Sequence, residues 1–311
     1  MKSKFFSLII ILILLVGAFF YFRDDTTLPR EILDDGGGNE NEEIKDVEVI
    51  LENLEIPWDL AFLPDGSMLV AERPGVLSIV RGKEKKEIQI GGVRHRGEGG
   101  LLGIVLHPKF SENKFIYLYL SSGYSLTETR NRVERYRFDG DKLSDRKIIL
   151  DNIPGALYHD GGRMEFGPDG MLYITTGDAT REKIAQDKNS LGGKILRLRD
   201  DGSIPEENPF GTAVWSFGHR NPQGIAWDSS GNLWETEHGP SSPVWPNCCQ
   251  DELNFIERGE NYGWPASVGD RVGSGTVGPI MHSGRDIWAP ASLAYLNGSL
   301  FFGGLRGEAL Y

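Results

Sequence analysis

The 311-residue chain reads as an all-β protein, a β-propeller of four-stranded blades, and three observations predict this. Glycine is unusually frequent at 40 residues, and short runs of Val, Ile, Tyr, Phe and Trp recur. That composition favours many strands joined by tight turns over long helices. A unit of strand, turn and strand also recurs through most of the chain, at periods that suit propeller blades with variable outer loops.

The first strands of the repeat are Leu60-Ala61-Phe62, Ile104-Val105-Leu106, Met164-Glu165-Phe166, Ile225-Ala226-Trp227 and Leu293-Ala294-Tyr295. Counting from Phe62 through Leu106, Phe166 and Trp227 to Tyr295 gives steps of 44, 60, 61 and 68 residues. Turns rich in Pro, Asp, Asn and Gly follow, such as Pro64-Asp65-Gly66 and Pro168-Asp169-Gly170, and second strands begin near Met68, Phe115, Met171, Asn232 and Ser299. Third and fourth strands are expected in segments such as 76–80, 132–138 and 194–198. Five repeats are visible, and the fifth stops at Tyr311 just after its second strand. A closed ring needs more chain.

Ahead of the propeller (47–311), residues 1–23 read as a transmembrane signal-anchor and 24–46 as an acidic flexible linker. The run 5–22 is broken only by Ser7 and Tyr21 and follows Lys2 and Lys4. As a helix it reaches roughly 27 Å, near the lower limit for crossing a bilayer. There is no small-x-small site before Phe22 and no cysteine for lipidation, which favours an uncleaved anchor over a cleaved signal peptide. The lysines place the N-terminus in the cytoplasm and the propeller outside. The linker holds nine acidic and two basic residues around Gly36, Gly37 and Gly38 and has no apolar periodicity. With a net charge of −12, nucleic acid is excluded as a partner, because phosphate binding needs a basic footprint. Cys248 and Cys249 are adjacent. Outside the cytoplasm they can close a vicinal disulfide, and two unpaired thiols in a loop are the alternative.

Register carries the functional argument. In a propeller the first strand of each blade lines the central channel, so loops entering first strands and loops leaving second strands lie at one end of the axis. The sequence concentrates its unusual polar residues there: Gly97 to Gly100, Tyr158 to Arg163 and Gly218 to Gly224 enter first strands, while Gly177-Asp178, Glu237 to Pro240 and Gly304 to Arg306 leave second strands. These segments are expected to converge on one polar pocket. His159 precedes two glycines at 161 and 162, which leave its loop bare for a ligand. A neutral imidazole there accepts a proton from an alcohol, and Asp178, at the same end of the same blade, orients it through the other ring nitrogen. A histidine that merely caps a loop is the bland alternative.

Arg220 and Asn221, stiffened by Pro222, offer donors toward an anion, quinone or carboxylate, and with Arg306 they suggest a polyanionic ligand. Consecutive carbonyls of Gly239 and Pro240 are a hard-oxygen arrangement suited to Ca²⁺, although Gly-Pro is also a common turn pair. Asp251-Glu252, followed by Asn261-Tyr262-Gly263-Trp264-Pro265, reads as a loop with a second Ca²⁺ site at Glu252 and Tyr262, or as an exposed acidic pair. No zinc spacing, Gly-x-Ser-x-Gly, P-loop or dinucleotide fingerprint is present, which disfavours nucleotide enzymes.

The segments 97–103 with His107-Pro108, 159–170, 191–194 with 201–205, 218–224, 237–240 and 261–265 resemble, in order, the soluble pyrroloquinoline quinone (PQQ)-dependent sugar dehydrogenases. Gly218-His219-Arg220-Asn221-Pro222-Gln223-Gly224 is the most specific piece, and the short loops look more like the aldose sugar dehydrogenase branch than the glucose dehydrogenase branch. The likeness implies a six-bladed propeller with PQQ across the axis. His159 matches the general base that takes the proton of the anomeric hydroxyl while hydride passes to the quinone, and Asp178 matches its orienting carboxylate. Arg220 and Asn221 match contacts to the quinone oxygens, Arg306 a partner of a PQQ carboxylate, and the Gly239 and Pro240 carbonyls Ca²⁺ ligands. Glu98 falls beside the cofactor where the glucose dehydrogenase branch has Gln, and Tyr158 stands where it has Asp. A later Arg-containing segment of the family is absent, so one further blade is expected.

The implied reaction is oxidation of an aldose to its lactone, with electrons passed to an external acceptor by a membrane-anchored, extracytoplasmic enzyme. A non-catalytic tethered binding module and a Ca²⁺-dependent lactonase-type propeller are the alternatives. The lactonase would line its axis with carboxylates and amides, where this chain offers His159, Arg220 and Arg306.

Overall fold

Turn chemistry repeats from blade to blade in the computed structural model, which describes residues 48–123, 128–240, 248–306 and 309–311. The predicted anchor and linker lie outside these residues. In the first hairpin Asp65 Oδ1 accepts the Ser67 N–H at 3.0 Å and Gly66 adopts a φ of 84°, a value open to glycine because it has no Cβ. Asp169 and Asp228 repeat the device, accepting the N–H of Met171 and of Ser230. An aspartate that folds back on its own backbone, with a glycine one to three residues on, closes these three hairpins.

These turns link antiparallel sheets. Blade 1 comprises β1 (Pro57–Phe62), β2 (Met68–Glu72), β3 (Val76–Arg81) and β4 (Glu84–Gln89). Blade 2 comprises β5 (Leu101–Leu106), β6 (Phe115–Gly123), β7 (Thr129–Phe138) and β8 (Leu143–Pro154). Blade 3 holds β9 (Met164–Phe166), β10 (Leu172–Thr176), β11 (Lys194–Leu198) and β12 (Val214–Phe217), and blade 4 holds β13 (Pro222–Trp227), β14 (Leu233–Glu237), β15 (Glu252–Ile256) and β16 (Met281–His282). Blade 5 has three strands, β17 (Pro290–Leu296), β18 (Ser299–Gly304) and β19 (Ala309–Leu310). The first strands adjoin in chain order from β1 to β17, as the repeat register requires. The protein is therefore an all-β propeller, with five blades among the described residues.

The core consists of layers between blades, and period-2 alternation distributes residues among them. Along β6, Ile116, Leu118 and Leu120 pack toward blade 1, while Tyr117 and Tyr119 pack toward blade 3. Likewise Leu196 on β11 faces blade 2 and Ile195 faces blade 4. Middle strands bury both faces, which is why they read as continuous apolar runs. Leu118 is fully buried, so Leu118→Ala is expected to lower unfolding free energy by about 2–5 kcal/mol, measured by urea denaturation.

Between blades 5 and 1 lies a cavity of about 530 Å³, walled by Trp58, Leu60, Val70 and Ser292 among others. Leu60 and Phe62 on β1 are 48% and 66% exposed. Register breaks at the entering ends of β1, β5, β13 and β17, between Pro57 and Asp59, Leu101 and Ile104, Pro222 and Gly224, and Pro290 and Leu293. Such bulges bend a strand and re-aim its neighbours. They occur at the end where the polar loops gather.

Among the described residues no helix is long and apolar enough to cross a membrane. Cys248 and Cys249 form the vicinal disulfide.

Candidate active site

The loop before β9 and the loop after β10 meet through their backbones. Ala179 N–H donates to His159 O at 3.1 Å, and a Cβ on Gly177 would lie 2.0 Å from that same oxygen. Only glycine allows this approach. It brings His159 Nδ1 to 2.8 Å from Asp178 Oδ1, the pairing expected from register.

Asp178 is fully buried. Its Oδ1 also accepts the Thr180 N–H at 2.7 Å, and its Oδ2 accepts the Trp264 indole N–H at 2.8 Å. With both oxygens serving as acceptors, the His159 ring nitrogen facing Asp178 is the donor. That tautomer leaves Nε2 with a free lone pair, the form a general base needs. Glu98 Oε2 accepts the His159 N–H at 2.8 Å, so it holds the backbone of the same residue, whose φ is 63°.

Trp264 was not singled out by sequence reasoning as a partner of Asp178, because 86 residues separate them and only the fold joins them. Trp264→Phe removes one hydrogen bond to a buried carboxylate, a contribution of about 1.5–3 kcal/mol. The expected result is a roughly tenfold to hundredfold lower kcat together with a fall of several degrees in melting temperature. Steady-state kinetics beside a thermal melt checks it.

Arg220 lies beside this pair. Its carbonyl accepts the Asp178 N–H at 2.8 Å, and its own N–H donates to Glu237 Oε2 at 2.7 Å. The guanidinium donates to His238 O at 3.1 Å and lies over the Trp264 ring at 5.4 Å. Burial pushes its pKa down, while Asp178, Glu237, Asp251 and Glu98 push it up. Arg220 is thus a partly buried cation ringed by carboxylates. Asn221 is buried, and its Oδ1 accepts the Gly161 N–H at 3.1 Å, so it holds the loop of His159.

Gly239 and Pro240 stand where β14 ends. They line a cavity of about 10 Å³ together with Arg220, Glu237, Glu252 and Trp264. That is room for roughly one water-sized sphere. Carbonyl and carboxylate oxygens around a space of this size suit a hard cation such as Ca²⁺. Asp251 fixes the segment: Oδ1 accepts the Gly239 N–H, and Oδ2 accepts the N–H groups of Trp288 and Ala289, all at 2.8 Å. A Cβ on Gly239 would lie 1.9 Å from Cys249 O, so the disulfide segment packs directly behind the loop.

Asp251 and Glu252 are buried, which overturns the reading of an exposed acidic pair. Burial, and then the charge of Glu237, pushes the Glu252 carboxyl up to about 8. The Tyr262 hydroxyl donates to Phe255 O and accepts the Glu257 N–H, so of its oxygens only the backbone carbonyl could serve a metal. Sequence reasoning also missed the buried group of His219, Glu235 and Glu237, whose ligand-type atoms lie within 4.8 Å of one another. Glu235 and Glu237 alternate on β14, and register placed the 218–224 loop at the same end as Glu237, but nothing in the sequence singled out His219 as their partner. Arg306 is exposed, and no side-chain hydrogen bond or ion pair joins it to the site among the described residues.

Fold and site together define a β-propeller with a carboxylate-oriented histidine, a half-buried arginine and a small oxygen-lined cavity at one end of its axis. The family model described as Glucose / Sorbosone dehydrogenase matches residues 54–311. The chain belongs to that family. It is similar to the structure of the PQQ-bound form of aldose sugar dehydrogenase from Streptomyces coelicolor, with 39% identity, a TM-score of 0.77 and coverage of 85% of this chain and 78% of that one. It is 36% identical to the aldose sugar dehydrogenase YliI of Escherichia coli, over 71% of this chain and 62% of that protein. It is 33% identical to quinoprotein glucose dehydrogenase B of Acinetobacter calcoaceticus, over 74% of this chain and 54% of that protein.

Proposed function

We propose that the protein is a quinoprotein that oxidises aldose sugars to lactones, with His159 as general base. The observation that carries the reading is the His159–Asp178 hydrogen bond: Asp178 Oδ1 accepts it from Nδ1–H, the proton stays on the ring, and Nε2 is left to accept the proton of an anomeric hydroxyl. In a site partly walled from water, the Asp178 carboxylate also stabilises the imidazolium that results.

Arg220, with Asn221 and Glu98 beside it, would hold PQQ, with Arg306 the partner for an outlying carboxylate. Gly239, Pro240, Glu252 and the Tyr262 carbonyl would hold Ca²⁺. When bound, the quinone supplies the two-electron hydride acceptor and the cation polarises it. The half-buried guanidinium of Arg220, held by His238 O and lying over the Trp264 ring beside the His159–Asp178 pair, supports this assignment as a fixed donor to quinone oxygens.

Six blades belong to the same reading. The cavity between blades 5 and 1 and the exposed apolar face of β1 support a further blade there. An extracytoplasmic location is supported by the vicinal disulfide, a bond that persists in oxidising compartments, and membrane tethering by the apolar run of residues 5–22 in the sequence. Electrons would leave to an external acceptor.

The test is dye reduction by purified protein supplied with PQQ and Ca²⁺ when glucose or another aldose is added. Turnover that needs both additions upholds the reading. A protein that binds sugar without reducing dye is the binding module instead.

A further inference from the structure

Beside the His159–Asp178 pair lies a cavity of about 520 Å³, and its walls include Tyr158 and Ala179, which flank that pair in the chain, and Thr180, whose N–H donates to Asp178 Oδ1. Its size falls inside the roughly 300–1,000 Å³ of small-molecule sites. Tyr158 is 55% exposed and presents a phenol ring at the opening. Aromatic faces and guanidinium groups at such an opening are the surfaces on which a sugar ring and an anion are held.

Three arginines, Arg96, Arg130 and Arg181, line the same cavity. Arg130 is spoken for, since its Nε and NH2 donate to Glu128 Oε1 at 2.9 and 2.5 Å. Arg96 and Arg181 are exposed, and neither has a carboxylate partner among the described residues. Two uncompensated guanidinium groups at one opening stand out in a chain of net charge −12. Arg81, Arg137 and Arg197, by contrast, are each paired with an aspartate, and Glu128, the carboxylate that lines this cavity, is taken by Arg130.

On the reading of the site given above, we propose that this cavity is a subsite for an anionic sugar ring. The substrate class is an acidic oligosaccharide: its reducing-end aldose reaches His159, and the adjoining ring, carrying a carboxylate or phosphate, lies between Arg96 and Arg181. The forked donors of arginine match the paired oxygens of either anion. A neutral monosaccharide reaches His159 without using the subsite.

Binding tests this without any need for turnover. Titration calorimetry of the full chain at low salt compares digalacturonate, a phosphorylated lactose and lactose itself. The expected result is at least about tenfold tighter binding of an anionic sugar than of lactose, with the gap closed in Arg96→Gln/Arg181→Gln. Whichever anion binds tighter identifies the group. Both arginines are exposed, so the double variant should keep the wild-type melting temperature. Equal affinity for lactose and both anionic sugars, or a gap that survives the double substitution, overturns the proposal. Whether glucose is oxidised bears only on the proposed function.

Discussion

Replacing His159 with alanine is expected to lower kcat for aldose oxidation by roughly 10²–10⁴-fold, the contribution of a positioned general base. The loss should fall on kcat, because the imidazole acts on a proton that moves in the transition state. The cofactor should still bind, since Arg220 and the Gly239-Pro240 cradle do not depend on the imidazole: Arg220 is held by Glu237 and His238, and Gly239 by Asp251. Cofactor titration beside steady-state kinetics separates the two effects. A variant that keeps near-wild-type kcat would remove His159 from the chemistry.

Gly177→Ala is expected to be as damaging without touching a reacting group. The new methyl would lie 2.0 Å from His159 O and 2.9 Å from Asn221 Oδ1, so the loop carrying His159 must move. The displaced carbonyl is backbone and cannot rotate aside. Overpacking of this kind costs about 1–3 kcal/mol or more, and misplacing a catalytic group by about 1 Å can cost about a hundredfold in rate. A fall in melting temperature together with a roughly hundredfold fall in kcat is the expected outcome. Unchanged kinetics would mean that the two loops are not coupled as described.

Much of the fold was legible because a propeller repeats its turn chemistry. Each Pro-Asp-Gly or Asp-to-Gly hairpin announces itself locally, and the expected first strands all fall within β1, β5, β9, β13 and β17. The blade count was less legible, since ring closure depends on packing between blades and no local signal encodes it. Register alone brought His159, Asp178 and Arg220 together, and the structure joins them by hydrogen bonds.

What the sequence could not show were contacts made by residues remote in the chain. Trp264 was placed in a calcium loop, yet its indole reaches Asp178 of blade 3 from the β15–β16 connection of blade 4. Asp251 was read as a ligand or a surface charge, yet it ties three backbone N–H groups from two loops. Asn221 was matched to the quinone, and the structure shows its carboxamide holding Gly161. In each case the missing information was which loop end packs against which. Side-chain type by itself does not carry it.

The central claim is that an aldose gives up its hydrogens at this site, with the proton going to His159. The most direct measurement is the absorbance of the bound cofactor after PQQ- and Ca²⁺-loaded protein is mixed anaerobically with an aldose and no dye. The quinone spectrum should disappear within one turnover in the wild type and persist at least a hundredfold longer in His159→Ala. A bound quinone that stays oxidised in the wild type, or that is reduced equally fast in both proteins, would contradict the account.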